Sequence, residues 1–226
     1  MSKLLVTLSL LFSLSAHAEI LPGFTYTKQL KGKDARGEFD ISYVQITPRA
    51  LPRYTIRRHV NAQIAATAKS MLCEADRKNA DKMNSNLSTT VTHANADLLA
   101  IRQGYDNYCM GAYPNHGTTS AIFNLHSGLE LDVELEAIDS AALKAAIVDK
   151  VLANKPAKDE GSDCDTLYDR EQLSQTGYEI GLKGTNLIVT QDYAHAFQAC
   201  GYDTEISLAD LKPLIKAESV LQRIVK

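Results

Sequence analysis

Four cysteines constrain this chain more than any other feature of its sequence. Cys73, Cys109, Cys164 and Cys200 are its only cysteines, and an even number of cysteines in an oxidising compartment predicts two disulfides. Four cysteines allow three connectivities. Pairing Cys73 with Cys109 and Cys164 with Cys200 is favoured because each bond then closes a local loop. A zinc site is disfavoured because the sequence lacks a C-x-x-C or H-x-x-x-H pair, so we expect no metal.

The N-terminus predicts such an oxidising compartment. Lys3 precedes an apolar run over residues 4–14, which is too short to span a bilayer, and residues 16–18 read Ala-His-Ala, the small-x-small pattern of a signal-peptide cleavage site. We therefore expect residues 1–18 to be a signal peptide and residues 19–226 to form one secreted α+β domain, or two closely packed subdomains. The predicted location is the periplasm. No membrane span is expected, because no later stretch approaches the roughly 20 apolar residues required.

Composition and charge disfavour several classes of protein. Apolar residues make up 45% of the chain and charged residues 23%, which is typical of a globular protein and not of a disordered one. The formal net charge is −3. Because there is no excess of basic residues to neutralise phosphates, nucleic acid is not an expected partner.

Hydrophobic periodicity in the first half predicts a hairpin followed by a helix. Residues 24–30 and 38–46 have the pattern of two strands, and from Thr55 onward the apolar residues recur every three to four positions. The members of that helical stripe are Ile56, Val60, Ile64, Ala68 and Met71. The polar residues 78–88 are expected to form an exposed connection.

The second half predicts two further hairpins, a second main helix and a short helix. Residues 120–125 and 129–136 flank one turn, with apolar and acidic residues alternating along the second strand, and residues 178–182 and 186–191 flank another. Asp139 is a good N-cap for a helix with Leu143, Ile147, Val148 and Val151 on its buried face. Residues 204–208 and 209–215 predict a short strand and a short helix capped by Ser207. The expected fold is α+β, an antiparallel sheet with two main helices packed on one face.

A search for catalytic patterns favours a protein that is not an enzyme. The sequence contains no G-x-S-x-G, H-E-x-x-H, P-loop or dinucleotide-binding motif, and we expect no cofactor. The histidines are not paired at ligand spacing; outside the leader they are His59, His93, His116, His126 and His195. Glu130, Asp132, Glu134 and Glu136 could supply the carboxylate pair of a glycosidase, but a solvated strand face explains them better.

One segment resembles a known family of secreted bacterial domains. Residues 108–119 read Tyr-Cys-Met-Gly-Ala-Tyr-Pro-Asn-His-Gly-Thr-Thr and lead into a strand and a Gly-containing turn at residues 127–131. The family includes the extracellular lysozyme-binding domain of a membrane anti-sigma factor and an accessory domain of peptidoglycan deacetylases. The resemblance extends more loosely from the helix around Val60 to residues 210–213, and residues 193–196 are similar to the family's loop between its last strands. This chain departs from the family pattern at Met110, where Gly is usual, and at Tyr113, where His is usual.

The resemblance implies a non-catalytic inhibitor or immunity protein whose partner is a lysozyme-like muramidase or a toxin that attacks the cell wall. The loops that match the family contain the candidate partner-binding residues, which are Tyr113, Pro114, Asn115, His116, Tyr193, His195 and Tyr202. Tyr113 beside a Pro turn is the kind of rigid aromatic anchor found at interfaces. The same loop residues could equally be structural, since Gly111, Pro114 and Asn115 are all residues that build turns.

A second hypothesis is a glycan-binding module that holds peptidoglycan for a partner enzyme. Sugar sites often contain stacked aromatic rings, and Tyr113, Tyr193 and Tyr202 could form such a platform. The absence of Trp from the chain makes this hypothesis weaker than the first. The sequence does not predict an oligomeric state.

Overall fold

The computed structural model describes residues 23–156, 164, 167–175, 178–191 and 200–225. The predicted signal peptide therefore lies outside the described residues. The elements in chain order are β1 (Thr25–Asp34), β2 (Gly37–Ile46), α1 (Tyr54–Ser70), a short 3-10 helix (Ala80–Lys82), β3 (Asn84–Ala94), β4 (Leu98–Tyr108), β5 (Asn115–Asn124), α2 (Ser140–Ala153), α3 (Arg170–Gln175), β6 (Tyr178–Lys183), β7 (Asn186–Gln191), β8 (Asp203–Ser207), α4 (Leu208–Leu211) and two further 3-10 helices (Lys212–Leu214 and Val220–Arg223).

The strands form two sheets, which confirms the α+β class. One sheet has the order β1-β2-β3-β4-β5 and the other the order β6-β7-β8. All neighbouring strands are antiparallel except β2 and β3, which are parallel. The prediction of a single antiparallel sheet is therefore wrong. The reason is α1, because a helix between two paired strands returns the chain to the starting end and makes those strands parallel.

Helix α1 forms where the apolar period predicted it. Val60, Ile64 and Ala68 lie on one side of the helix and are fully buried. At the end of β2 the side chain of Asn61 accepts a hydrogen bond from the Ile46 amide at 2.8 Å and donates one to the Ile46 carbonyl at 3.2 Å. These bonds satisfy backbone groups that have no strand partner, since β2 pairs with β3 only through Ile41.

Helix α2 confirms the N-cap prediction. One carboxylate oxygen of Asp139 accepts hydrogen bonds from the amides of Ala141 and Ala142 at 2.9 and 3.1 Å. The buried side chains of α2 are the predicted Leu143, Ile147, Val148 and Val151. A cap of this kind is worth about 1 kcal/mol.

The two main helices belong to different hydrophobic cores. Leu98 and Ala100 of β4 pack in the core that contains α2 and the three-stranded sheet, whereas Leu99 and Ile101 pack in the core that contains α1. Successive side chains of a strand point to opposite faces, so α1 and α2 lie on opposite sides of the five-stranded sheet. The expectation that both helices pack on one face is corrected by this arrangement.

The predicted strand at residues 129–136 does not form. The segment makes a single bridge, between Phe123 and Glu130, and then turns. The Asp132 carboxylate accepts a hydrogen bond from the Glu134 amide at 2.9 Å, and Leu135 is 69% exposed although the alternation predicted burial. Acidic side chains that bond their own backbone favour turns over strands, and here this local preference overrides the period-two pattern.

The other hairpin predictions are confirmed. Strands β1 and β2 pair from Thr25–Ile46 to Asp34–Gly37, and β6 and β7 pair around a turn in which Gly184 has φ of +62°. The Ser207 hydroxyl accepts a hydrogen bond from the Ala209 amide and caps α4 as predicted. The connection predicted at residues 78–88 is shorter than expected, because β3 begins at Asn84.

The three-stranded sheet packs against part of the five-stranded sheet. A Cβ atom at Gly181 of β6 would lie 2.9 Å from the Ser120 hydroxyl of β5, so glycine permits the close approach. Arg102 of β4 donates two hydrogen bonds to the Asp203 carboxylate of β8, at 2.5 and 2.9 Å. Burial would raise the pKa of Asp203, but the bonds from Arg102 and Thr190 outweigh it and hold that pKa below its usual value. No helix in the described part of the chain is long and apolar enough to cross a membrane.

Candidate binding site at the β4–β5 hairpin

Both disulfides form with the pairing that the local-loop argument favoured. Cys73 bonds Cys109 and Cys164 bonds Cys200, each across 36 positions of sequence. Cys109 directly follows β4, and Cys73 lies just after α1. The first disulfide therefore ties the base of the β4–β5 hairpin to the segment that follows α1.

The hairpin tip, defined here as residues 109–114, is exposed along its whole length. Tyr113 is 66% exposed and Met110 is 38% exposed. Met110 has φ of +67°, a left-handed conformation that favours glycine.

A cavity of about 650 Å³ lies beneath the tip on the side of α1. Tyr113 and Asn115 contribute to it from the hairpin, and Met71, Glu74 and Met83 contribute from the segment between α1 and β3. Asn107 donates a hydrogen bond from Nδ2 to the Met71 carbonyl at 3.1 Å and holds the two walls together. The cavity thus combines thioether, aromatic, amide and acidic groups, which is a surface suited to another protein's side chains.

The remaining predicted site residues are divided between different places. Pro114 lies in the tip beside Tyr113, whereas His116 lines a separate cleft of about 390 Å³ together with Tyr202. Tyr202 also has a structural role, because its hydroxyl donates to the Val151 carbonyl at 3.1 Å and its ring packs edge-on against Tyr168. The structure therefore places Tyr113 and Tyr202 around different cavities. Tyr193 and His195 lie outside the described residues.

The sequence argument missed the wall of the cavity formed by Met71, Glu74 and Met83. These residues lie far from the hairpin in sequence, and neither periodicity nor a motif marks them. The one available signal is the disulfide, since pairing Cys73 with Cys109 brings the whole segment after α1 beside the tip.

The acidic residues of the segment 129–136, which does not form a strand, do not lie on one shared face. Glu134 pairs with Lys144 at 2.8 Å. Burial raises the pKa of Glu130, and the nearby negative charge of Glu179 raises it further. Glu179 itself accepts a hydrogen bond from the Ser120 amide at 3.3 Å. Among the described residues, no group of three or more His, Cys, Asp or Glu side chains is arranged to hold a metal ion.

These features define a disulfide-bonded α+β protein with an exposed hairpin tip, and comparison with known proteins relates its fold to a bacterial family. No family model matches the chain, and no curated protein matches it. A solved DUF3298-family protein from Bacteroides fragilis superposes with a TM-score of 0.60 over 89% of this chain and 98% of that one, at 11% identity. A DUF3298-family protein from Pseudomonas aeruginosa gives 0.49, with 13% identity and coverage of 85% and 94%. The first of these likenesses shows a shared fold.

Proposed function

We propose that this protein is an exported, non-catalytic binding protein that inhibits a lysozyme-like cell-wall hydrolase, or neutralises a toxin that attacks the cell wall. The hairpin tip enters the substrate cleft of the partner and excludes glycan. The observation that carries the proposal is the exposure of Tyr113 on a tip that is covalently held at its base. The resemblance of residues 108–119 to a family with a lysozyme-binding member supports the choice of partner.

The tip is suited to binding because its backbone is already ordered, so it loses little conformational freedom when a partner binds. The β4–β5 ladder continues to the pair Asn107–Asn115, the disulfide joins Cys109 to Cys73, and Pro114 fixes one backbone angle. An exposed aromatic ring on such a support contributes contact area at low entropic cost. The cavity beside Tyr113 offers space for a side chain of the partner.

Charge and compartment agree with the proposal. The chain has a net charge of −3 with the leader included, and removal of Lys3 with a signal peptide makes it one unit more negative. A basic hydrolase would be attracted by this charge, and the attraction would weaken with salt. Two disulfides fit an oxidising compartment. Export to the periplasm through residues 1–18 is part of the proposal.

The test compares Tyr113→Ala with a matched control in an assay of cell-wall lysis. Tyr54 is 62% exposed at the start of α1, so Tyr54→Ala removes a similar exposed ring away from the tip. We expect Tyr113→Ala to weaken inhibition at least tenfold, equivalent to about 1.4 kcal/mol of binding free energy, and Tyr54→Ala to leave it unchanged. Equal inhibition by both variants and the unaltered protein would refute the role of the tip.

A second candidate function is that of a module that binds peptidoglycan for a partner enzyme. It is favoured by the cleft shared by His116 and Tyr202, which also contains Arg102 and Asp203 and so offers both hydrogen-bonding groups and a ring. Binding of soluble glycan, without inhibition of any hydrolase, would favour this candidate over the first.

A further inference from the structure

The described residues leave one face of the tip-proximal half of the five-stranded sheet exposed. On the side opposite α1, the three-stranded sheet and α2 cover Leu98, Ala100 and Ile122, which are buried. Nearer the tip, the same face carries a groove of about 620 Å³. We call it the sheet groove and define it by six residues of β3, β4 and β5 that line it, which are Asn86, Ser88, Gly104, Asp106, His116 and Thr118.

The strand register arranges these residues in two rows. Asn86, Asp106 and His116 are paired across three strands, and Asp40 of β2 extends that row. Ser88, Gly104 and Thr118 form the neighbouring row. Adjacent strands are about 4.8 Å apart, so the first row spans roughly 14 Å from β2 to β5. The result is a shallow channel across the sheet, with polar side chains in the first row and small residues in the second.

Gly104 is the residue of the groove that the fold itself does not explain. It lies inside β4, where glycine weakens a strand, and its φ is not in the left-handed region. Within the described part of the chain, a Cβ atom there would meet only the Ser88 hydroxyl, at an ordinary 3.7 Å. Gly37 and Gly181 differ from it, because a Cβ atom would clash at both of those positions. Glycine inside a strand often marks a bulge, a bend, or a close approach of a ligand or another backbone. The register of β4 is unbroken at Gly104, so a bulge there is not the reason.

The chemistry of the groove selects the class of ligand. Its side chains supply carboxylate, amide, imidazole and hydroxyl groups, while Leu87, whose backbone borders the groove, is buried in the opposite core. Asp40 is already bonded to Lys31 and Gln29, whereas Asp106 is exposed and forms no salt bridge with any described residue. Neighbouring carboxylate, amide and hydroxyl groups are the donors and acceptors that the hydroxyl groups of a sugar need.

From these observations we infer that the sheet groove binds an oligosaccharide, whose hydroxyl groups donate to Asp106 and pair with the amide and hydroxyl groups beside it while its backbone passes over Gly104. This inference deepens the second candidate function, and it extends the site from the cleft at Tyr202 to the sheet groove, which shares His116, Gly117 and Thr118 with that cleft. It is independent of the hairpin tip, which lies beyond the end of the groove.

The test is calorimetric titration of the oxidised protein with chitohexaose and cellohexaose. We expect at least one of these oligosaccharides to bind, and Gly104→Val to weaken that binding at least tenfold by filling the groove. Because valine is a better strand former than glycine, the same variant should melt at a temperature equal to or above that of the unaltered protein. A structural role for Gly104 predicts the opposite change in melting temperature.

Two further variants keep the outcome decisive. Asp106→Ala changes an exposed side chain, so it should fold and should also weaken oligosaccharide binding at least fivefold. Tyr113→Ala should leave oligosaccharide binding unchanged, and Gly104→Val should leave inhibition of a hydrolase unchanged. The two binding activities can therefore be refuted separately. Binding of neither oligosaccharide, or binding that survives both Gly104→Val and Asp106→Ala, would overturn the inference.

Discussion

Removing the Cys73–Cys109 disulfide should destabilise the protein and also impair the hairpin tip. The bond closes a loop of 36 positions. In the chain-entropy model, closing a loop of that size lowers the entropy of the unfolded state and raises the free energy of unfolding by about 4 kcal/mol. We expect the double variant Cys73→Ser/Cys109→Ser to lose stability of that order in urea unfolding. We also expect weaker inhibition of a hydrolase at temperatures where the variant is still folded, because the base of the tip is no longer held.

The second disulfide provides a matched control. Cys164 and Cys200 also lie 36 positions apart, so the entropy model predicts the same loss of stability for Cys164→Ser/Cys200→Ser. That bond packs beside Tyr168 and Tyr202, away from the cavity under the tip. Its removal should leave inhibition unchanged under folded conditions. If the two double variants affect inhibition equally, or if neither loses stability, the reasoning about the tip is wrong.

Three further predictions concern single residues. Burial lowers the pKa of His93, which is 6% exposed, and a contact with the Gly184 backbone opposes this only in part. As the pH falls, the unfolded state therefore binds a proton at this histidine before the folded state does. The free energy of unfolding should decrease as the pH drops below about 6.5. His93→Gln should flatten this decline between pH 7 and 5 in urea titrations, and the exposed control His59→Gln should not. Asp139→Ala should cost about 1 kcal/mol in urea unfolding by removing the cap of α2, and an unchanged midpoint would contradict the role of that cap. Met110→Gly should raise stability by about 1 kcal/mol by relieving the left-handed backbone, and a lower melting temperature would count against this explanation.

Local features of the fold could be predicted from sequence. The N-cap at Asp139, the stripe on α1 and the turn at Gly184 each depend on residues within a few positions of one another, and all three are present in the structure. The segment at residues 129–136 shows the limit of this reasoning. Its alternation favours a strand, but Asp132 bonds the nearby Glu134 amide instead and the segment turns.

Features that depend on distant pairings could not be predicted. The parallel pairing of β2 with β3 and the packing of the second sheet across Gly181 are set by tertiary contacts that no local pattern encodes. The exposed tip around Tyr113 was predicted as part of the candidate site, because it lies within one continuous segment. The cavity beside it and the sheet groove were not, because each is assembled from strands and loops that are far apart in sequence.

The central claim is tested most directly by titrating the oxidised protein into c-type, g-type and phage-type muramidases, with binding heat and cell-wall lysis measured at two salt concentrations. The account predicts saturable binding to at least one of them, loss of its lytic activity in the same concentration range, and weaker binding at higher salt. Absence of both heat and inhibition with all three would contradict the claim that the tip blocks a lysozyme-like hydrolase.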